Sequence, residues 1–511
     1  MTGELTERMK INKVLVANRG EIAIRIMRSC REMNILTVAV FSEVDRTSFH
    51  VRYADEAYPI GPGPSVDSYL RMDKIIEIAK RSGADAIHPG YGFLSENATF
   101  ARRCREEGII FIGPSAESIE AMGDKISARK RMIAAGVPVV PGTTDKVTDD
   151  AEALRVIEEI GLPVMIKASA GGGGKGMRLV REASQVESAL RGARSEARTA
   201  FGDDAVYIEK YIENPHHIEF QVLADRFGHT IHLFERECSV QRRHQKVVEE
   251  TPSPLLTPEV RAKMGEYAVA ATQAAHYEGA GTIEFIVDDN LNFYFLEMNT
   301  RLQVEHPITE RVVGIDLVKA QISIAEGHPL TLQQHDLKQS GHAIECRIYA
   351  EDPDNHFMPN PGTITHITEP LGLGVRCDGY IHAGYKIPIY YDPMISKLII
   401  WGRTRDEAIE RMRRALYEYK ITGVKTTIKF LEKIMDAPEF RSGKYNTGFI
   451  DRNMERLMDK SGCTAECEDF ALIATYVEYM ERKEKLKPVN AGQSCNNGWK
   501  QHGRKSNREG F

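Results

Sequence analysis

The sequence predicts a protein of mixed α/β and α+β class whose N-terminal domain is a doubly wound parallel sheet. Short apolar segments near the N-terminus alternate with segments whose apolar residues recur at helical spacing. Strands that alternate with helices in this way form parallel sheets with helices on both faces. The length of 511 residues exceeds one ordinary domain, so further units are expected.

The N-terminal domain is predicted to span residues 11–112. Its strands are predicted at residues 13–17, 36–41 and around 86–88. The turn after the first strand contains one glycine, Gly20. A dinucleotide-binding loop needs several glycines, so it is not expected there.

The later boundaries follow from changes in composition. They are a linker at 113–138, a small unit at 139–211, a strand-rich α+β region at 212–455, and a helix with a polar tail at 456–511. Within the linker, a single helix is expected from 116 to about 135.

Composition limits the functional classes. The formal net charge of −6 argues against a nucleic-acid-binding protein. The N-terminus lacks the apolar stretch of a secretory signal, which predicts a cytoplasmic protein, with Met9 as an alternative start to Met1. The eight cysteines include no CxxC pair, so we expect reduced thiols.

A glycine-rich loop is the first strong chemical signal. Residues 167–176 read KASAGGGGKG and lie between strands predicted at 164–167 and 177–180. A dinucleotide loop would precede a helix, and a Walker A loop would place Ser or Thr after Lys175. A hairpin tip with bare backbone N–H groups instead suits a flexible lid over phosphates.

A run of alternating polar residues is the second signal. It follows a hairpin predicted from residues 281–287 and 292–296, and in a strand its polar members would share one face. These members are Glu297, Asn299, Arg301, Gln303 and Glu305. An ordinary solvent-facing strand is the alternative, but an arginine between carboxylates disfavours it.

The residue types in this run suit a metal and an anion. Glu297 and Asn299, with Glu284 on the partner strand, offer the oxygen ligands that magnesium uses when it bridges nucleotide phosphates. Arg301 would bind an anion through its planar guanidinium. Glu305 beside it would act as a base.

Six motifs resemble those of biotin carboxylases, in order, from about residue 11 to 455. They are NRGEIA at 18–23, HPGYG at 88–92, MGDK at 122–125, the glycine loop, CSVQRRHQK at 238–246 and EMNTR at 297–301. Six motifs in sequence are far more specific than one. The resemblance implies an ATP-grasp fold, with residues 139–211 as its lid domain.

The resemblance also implies the site residues. ATP is expected at Lys125, Lys167, Gly173, Gly174, Glu209, Lys210, His217, Gln241, His244, Glu284 and Glu297. Mg²⁺ or Mn²⁺ is expected at Glu284, Glu297 and Asn299. Bicarbonate is expected at Lys246, Arg301, Gln303, the backbone of Val304, and Glu305, while Arg347 faces biotin. All these positions fit the family pattern, which argues against an inactive homologue.

The implied reaction is the ATP-dependent carboxylation of biotin by bicarbonate. Glu305 would deprotonate bicarbonate while Arg301 and Lys246 bind its charge, and attack on the γ-phosphate would give carboxyphosphate. Carboxyphosphate would release CO₂ and phosphate, phosphate would deprotonate biotin, and Arg347 would stabilise the biotin enolate. Lid closure would exclude the water that hydrolyses carboxyphosphate.

Two other classes are alternatives. Other bicarbonate-using ATP-grasp enzymes, such as carbamoyl-phosphate synthetases, would not require Arg347 or the segment at 241–246. A non-catalytic nucleotide-binding module would not require Arg301 and Glu305.

The acyl acceptor depends on partners. The sequence contains no Ala-Met-Lys-Met attachment site for biotin, so the carrier and carboxyltransferase are expected on separate chains. The resemblance implies a homodimer, with pyruvate as acceptor and acetyl-CoA or another acyl-CoA as the alternative. The preference for pyruvate rests on the tail after residue 455.

The tail itself is predicted to begin with an amphipathic helix. Phe470, Ile473, Val477 and Met480 recur at helical spacing, and a polar segment containing Trp499 follows. The helix would pack on the enzyme's own body or, with the segment after it, recognise a partner protein.

Overall fold

The apolar segments near the N-terminus form a five-stranded sheet. The computed structural model describes residues 10–145, 147, 149–168, 177–201, 206–459 and 465–485. The strands are β1 (Lys13–Val16), β2 (Leu36–Ser42), β3 (Glu56–Gly61), β4 (Ala86–His88) and β5 (Ile110–Phe111). The helices are α1 (Gly20–Glu32), α2 (Phe49–Tyr53), α3 (Met72–Ser82) and α4 (Ala98–Glu106). The sheet order β3-β2-β1-β4-β5 is parallel throughout, which confirms the doubly wound sheet.

The linker contains two helices where the sequence predicted one. They are α5 (Ala116–Gly123) and α6 (Lys125–Ala134). Asp124 between them has an extended backbone, and its side chain accepts a hydrogen bond from the Ser127 N–H at 2.8 Å. Asp is a favoured N-cap residue, so it starts a second helix, and the prediction of one continuous helix is wrong.

A small three-stranded sheet follows the linker. Its elements are α7 (Asp150–Ile160), β6 (Val164–Ala168), β7 (Met177–Val180), α8 (Val186–Phe201) and β8 (Val206–Lys210). The order β7-β6-β8 is antiparallel, and residues of both helices pack against the sheet in one apolar cluster. The predicted strands on both sides of the glycine loop are present. The loop itself, at 169–176, lies outside the described residues.

An eight-stranded antiparallel sheet, of order β13-β12-β9-β10-β11-β14-β19-β18, forms the largest part of the molecule. Its strands are β9 (His216–Ala224), β10 (Thr230–Arg242), β11 (Gln245–Thr251), β12 (Gly279–Val287), β13 (Phe293–Asn299), β14 (His342–Tyr349), β18 (Val375–Gly379) and β19 (Met394–Gly402). Short strands are β15 (Glu351–Asp352), β16 (Met358–Pro359), β17 (His366–Thr368) and β20 (Lys420–Thr422). The helices are α9 (Pro258–Ala274), α10 (His306–Val313), α11 (Leu317–Ala325), α12 (Arg405–Glu418), α13 (Ile428–Asp436), α14 (Pro438–Arg441) and α15 (Phe449–Met458).

The polar run at 297–305 is not one strand, contrary to the prediction. β13 ends at Asn299, and residues 300–305 form a loop that leads into α10. The backbone N–H of Thr300 donates to Glu96 Oε1 at 3.2 Å, in the N-terminal domain, which draws the chain away from the sheet. The five polar side chains therefore do not share one strand face.

The chain divides into two compact units, Met1–Leu457 and Met458–Phe511. In the second unit a helix, α16 (Ala465–Lys485), occupies the segment where one was predicted. Ile473 and Val477 are exposed, but so are Leu472 and Tyr476, so apolar residues cover more than the predicted stripe. The side chain of Phe470, and Trp499, lie outside the described residues. No helix within the described ranges has the length and apolar character needed to span a membrane.

Candidate active site

Charged and polar side chains from seven neighbouring strands of the large sheet converge at one place. They come from β13 through β19 in the order of the sheet and are Asn299, Glu284, Glu219, Arg236, Lys246, Glu249, Arg347 and Lys397. The loop between β13 and α10 crosses this region and adds Arg301, Gln303 and Glu305.

Lys246 is the centre of the cluster. Its ammonium donates to Glu219 at 2.5 Å, Glu305 at 2.6 Å, Glu284 at 3.0 Å and Gln303 at 3.4 Å. Burial lowers the pKa of Lys246, but the three carboxylates outweigh burial and raise this pKa well above its ordinary value. Lys246 is therefore a permanent cation among carboxylates.

Glu305 lies between two cations. One oxygen accepts from Lys246 at 2.6 Å, and the other accepts from Arg347 Nη2 at 2.9 Å. Burial raises the pKa of Glu305, but Lys246 and Arg347 outweigh it and lower this pKa below its ordinary value. Arg347 Nε also donates to Glu249 at 2.6 Å, and burial raises the pKa of Glu249 to about 7. The two cations thus favour the ionised form of Glu305.

Arg236 is fully buried behind this group. Its guanidinium donates to Glu219 at 2.5 Å and to Gln303 at 3.4 Å. Three further acceptors, Gln221, Thr309 and Thr282, complete its contacts. A buried guanidinium with this many partners fixes the positions of Glu219 and Gln303 relative to Lys246.

The three predicted metal ligands are adjacent. Glu284 on β12 pairs directly with Glu297 on β13, so their side chains lie on the same face of the sheet. Asn299 Nδ2 donates to Glu284 Oε1 at 3.0 Å, and His217 Nε2 lies 3.0 Å from the other Glu284 oxygen. Burial raises the pKa of Glu297, and the charge of Glu284 adds to this effect. Two neighbouring carboxylates that repel each other suit a divalent cation.

Two cavities contain most of the predicted nucleotide-binding side chains. A cavity of about 360 Å³ is lined by Lys125, Lys167, Glu209 and Glu297, and Lys167 forms an ion pair with Glu209. An adjoining cavity of about 820 Å³ contains His217, Gln241 and His244 beside Lys246, Glu284, Glu305 and Arg347. The two cavities share Leu296, Glu297 and Asn299 as lining residues.

One predicted nucleotide contact, Lys210, lines neither of these cavities. Lys210 Nζ donates to the backbone carbonyls of Gly161 and Leu162, at 3.1 and 2.9 Å. Its side chain is therefore directed at the small domain itself. Gly173 and Gly174 lie outside the described residues.

A third cavity, of about 460 Å³, lies at the point where the strand order of the parallel sheet reverses. The turns after β1 and β4 line it with Glu21 and Tyr91, and the large sheet contributes Arg347. Arg301 and Val304 line both this cavity and the 820 Å³ cavity, so the two are neighbours. Arg301 donates to Glu96 at 2.9 Å, and this contact orients its guanidinium.

Sequence reasoning missed Glu219, Arg236, Glu249 and Lys397. Lys397 is the single charged residue in β19, whose sequence is MISKLIIWG, and it is fully buried. A lone charge within an apolar strand was the available signal, because a buried charge requires partners. Glu219 is likewise the single acidic residue in β9, whose sequence is HHIEFQVLA.

Comparisons with known proteins agree with this architecture. Residues 10–119 match the sequence model of the biotin carboxylase N-terminal domain, and residues 345–452 match that of the biotin carboxylase C-terminal domain. Residues 124–333 match the ATP binding domain of the carbamoyl-phosphate synthase L chain. The middle model describes an ATP-binding domain, whereas both flanking models are specific to biotin carboxylases.

Similar proteins cover most of the chain. Over 441 residues it is 58% identical to a pyruvate carboxylase subunit of Methanothermobacter thermautotrophicus, which covers 86% of this chain and 89% of that protein. Over 442 residues it is 55% identical to biotin carboxylase 1 of Bacillus subtilis, with coverages of 86% and 98%. A crystal structure of the biotin carboxylase domain dimer of Hydrogenobacter thermophilus 2-oxoglutarate carboxylase, with MgADP, ADP and bicarbonate, matches with a TM-score of 0.81 and 50% identity, covering 88% of this chain and 99% of that one.

The fold and the cluster around Lys246 define an ATP-grasp ligase. Within that class, the chain belongs to the biotin carboxylase family, with its three-domain architecture. Biotin carboxylases are subunits or domains of biotin-dependent carboxylases.

Proposed function

We propose that this chain uses ATP and bicarbonate to carboxylate biotin held on a separate carrier protein. The observation that carries the proposal is the ionised Glu305, 2.6 Å from Lys246 and 2.9 Å from Arg347. Cations beside a buried carboxylate can bind an anion next to a base. The H. thermophilus biotin carboxylase domain with bound MgADP and bicarbonate supports this assignment.

Lys246, Arg301, Gln303 and the Val304 backbone bind bicarbonate in this proposal, and Glu305 removes its proton. Without an anion, Lys246 and Arg347 make Glu305 a weak base. Bicarbonate beside Lys246 adds negative charge, which raises the pKa of Glu305 and strengthens it as a base at the moment of reaction.

Lys125, Lys167, Glu209, His217, Gln241 and His244 form the proposed nucleotide site. Glu284, Glu297 and Asn299 would hold the Mg²⁺, which neutralises phosphate charge when bound. Residues 139–211 form the proposed lid, and Gly173 and Gly174 are proposed nucleotide contacts. Closure would shield carboxyphosphate from water.

Arg347 is the proposed contact for biotin. It lines both the 820 Å³ cavity and the 460 Å³ cavity, so it can face an anion on one side and a second substrate on the other. A guanidinium at this position would stabilise the negative charge on deprotonated biotin.

Bicarbonate-dependent ADP release by the purified chain, with free biotin as acceptor, tests the activity. We expect ADP release to require bicarbonate and divalent metal, and free biotin to become carboxylated. ADP release that depends on ammonia and not on biotin would favour a carbamoyl-phosphate synthetase type of reaction instead.

We propose pyruvate as the final acceptor, because of the 58% identity to a component of a pyruvate carboxylase. Acetyl-CoA or another acyl-CoA is the second candidate, because a biotin carboxylase and the alpha chain of a methylcrotonoyl-CoA carboxylase are 55% and 50% identical. Copurification of the native partner and assay of the complex with each acceptor distinguishes them. Carboxylation of acetyl-CoA without carboxylation of pyruvate would contradict our choice.

We further propose a homodimer that assembles with a carrier and a carboxyltransferase on other chains. The dimeric biotin carboxylase domain of the H. thermophilus enzyme supports the first part. Truncation after residue 459, beyond the end of α15, should leave carboxylation of free biotin intact and weaken copurification of the partner protein. A truncated protein that still assembles but unfolds at much lower temperature would show that the tail belongs to the enzyme's own core.

A further inference from the structure

Lys397 lies outside the proposed substrate contacts but holds the loop that carries them. It is fully buried in β19. Its ammonium donates to the Val304 carbonyl at 2.7 Å and lies 3.3 Å from Glu21 Oε2. We propose that Lys397 is a positioning residue, which fixes the loop at 301–305 so that its bicarbonate-binding groups are in place before the substrate arrives. This inference rests on the proposed function of the site.

The register of the sheet places two cations side by side under this loop. Lys397 on β19 pairs directly with Arg347 on β14. Directly paired residues extend on the same face of the sheet, with Cβ atoms about 5 Å apart. Arg347 donates to the Glu305 carboxylate at 2.9 Å, and Lys397 donates to the Val304 carbonyl. Consecutive residues of the loop are therefore held by neighbouring cations.

The loop needs such support because it leaves the sheet. β13 ends at Asn299, and α10 begins only at His306. The Val304 carbonyl belongs to the peptide that joins Val304 to Glu305. A contact to this carbonyl therefore restrains both the Val304 N–H proposed for bicarbonate and the start of the proposed base.

Glu21 and Tyr91 connect the same lysine to the N-terminal domain. Glu21 is in the first turn of α1 and is buried, and its Oε1 accepts a hydrogen bond from the Tyr91 hydroxyl. Lys397 Nζ also lies 5.7 Å from the centre of the Tyr91 ring. One ammonium thus connects the turns after β1 and β4 with the loop of the large sheet.

Lys397 acts through the loop rather than on the reactants. It lines none of the three cavities described above, whereas Val304 lines two of them. Loss of its charge should therefore loosen the bicarbonate-binding loop while the nucleotide cavity at Lys125 and Lys167 is unchanged. A rise in the KM for bicarbonate without a comparable rise in the KM for ATP would identify this role.

The test is Lys397→Met, which keeps length and removes charge. Because a hydrogen bond from a charged donor is lost, we expect the KM for bicarbonate to rise about tenfold or more. The KM for ATP should change less than about twofold, because Lys397 lines neither of the two cavities that contain the nucleotide-binding side chains. Glu21→Gln leaves the bond to Val304 in place, so it should raise the bicarbonate KM in the same direction but by less.

Arg405→Met is the matched control, because Arg405 forms a partly buried ion pair with Glu250 at 2.7 Å, away from the loop. It should lower thermal stability without changing the bicarbonate KM. An unchanged bicarbonate KM in folded Lys397→Met would overturn the inference. A similar rise in the bicarbonate KM and the ATP KM, together with lower thermal stability, would also overturn it. Absence of bicarbonate-dependent ADP release in the unmodified protein would instead contradict the proposed function.

Discussion

Replacement of Glu305 by Gln tests the proposed base while it preserves side-chain shape. Glu305 is 2% exposed and accepts from Lys246 and Arg347. The amide keeps one acceptor oxygen but turns its NH₂ toward one of the two cations, and a lost hydrogen bond to a charged group costs about 1.5–3 kcal/mol. Lys246 keeps Glu219 and Arg347 keeps Glu249, so neither cation is left unpaired. We therefore expect the free energy of unfolding to fall by about 2 kcal/mol.

The effect on catalysis should be larger than the effect on stability. Loss of a general base lowers kcat by about 10²–10⁴-fold. The assays are bicarbonate-dependent ADP release, carboxylation of free biotin and thermal denaturation. Glu249→Gln is the matched control, because Glu249 accepts a hydrogen bond from the same Arg347 at 2.6 Å but does not line the 820 Å³ cavity. Near-normal carboxylation by Glu305→Gln, or an equal loss in the control, would refute the role of Glu305.

Three further predictions follow from other contacts. Arg347→Ala should reduce biotin carboxylation more than bicarbonate-dependent ADP release, and equal losses in both assays would contradict its assignment to biotin. Glu284→Gln and Glu297→Gln should each raise the metal concentration needed for half-maximal activity, with partial rescue by Mn²⁺, and metal titrations check this. Burial raises the pKa of Asp45, but Arg19 outweighs it and lowers this pKa to about 2. The folded-state pKa of Asp45 lies below the unfolded value. The contribution of ionised Asp45 to the free energy of unfolding is therefore present above about pH 4 and is lost as pH falls toward 2. Asp45→Asn should lower the free energy of unfolding at pH 7 by about 2 kcal/mol. Denaturation measured at several pH values should show that the stability of this variant falls less on acidification than that of the unmodified protein.

The sequence predicts the fold where the determinants are local. The parallel sheet follows from short apolar strands, because alternation with helices leaves few arrangements. The end of β13 at Asn299 was not predictable in this way, since it depends on the bond from the Thr300 N–H to Glu96, 204 residues away. The helix break at Asp124 was only partly predictable. Its preference for the N-cap position is local, but it competes with a helical pattern on both sides.

The site could be predicted where the sequence pattern and the family resemblance coincide. Glu284 and Glu297 fall on paired strands of one hairpin, and a hairpin is a local structure. Lys397 was missed because its partners, Val304 and Glu21, are distant in sequence and lie outside the large sheet. Arg236 pairs with Glu219 across the adjacent strands β9 and β10, but its contacts to Thr282, Gln303 and Thr309 come from later segments of the chain. A charged residue within an apolar strand shows that a partner must exist, but it does not say which one.

The cluster around Lys246 predicts that metal and bicarbonate bind cooperatively. Lys246 contacts three carboxylates, so an incoming anion must compete with them for its N–H groups. One of the three, Glu284, is a proposed metal ligand, and a divalent cation there would draw Glu284 away from Lys246. A donor of Lys246 would then be available to bicarbonate, and by linkage each ligand should strengthen binding of the other. We therefore expect the KM for bicarbonate to fall as Mg²⁺ rises at a fixed, subsaturating ATP concentration, and Glu284→Gln to reduce this dependence. Steady-state kinetics at several Mg²⁺ concentrations measure it, and a bicarbonate KM that does not respond to Mg²⁺ would show that Glu284 does not restrain Lys246.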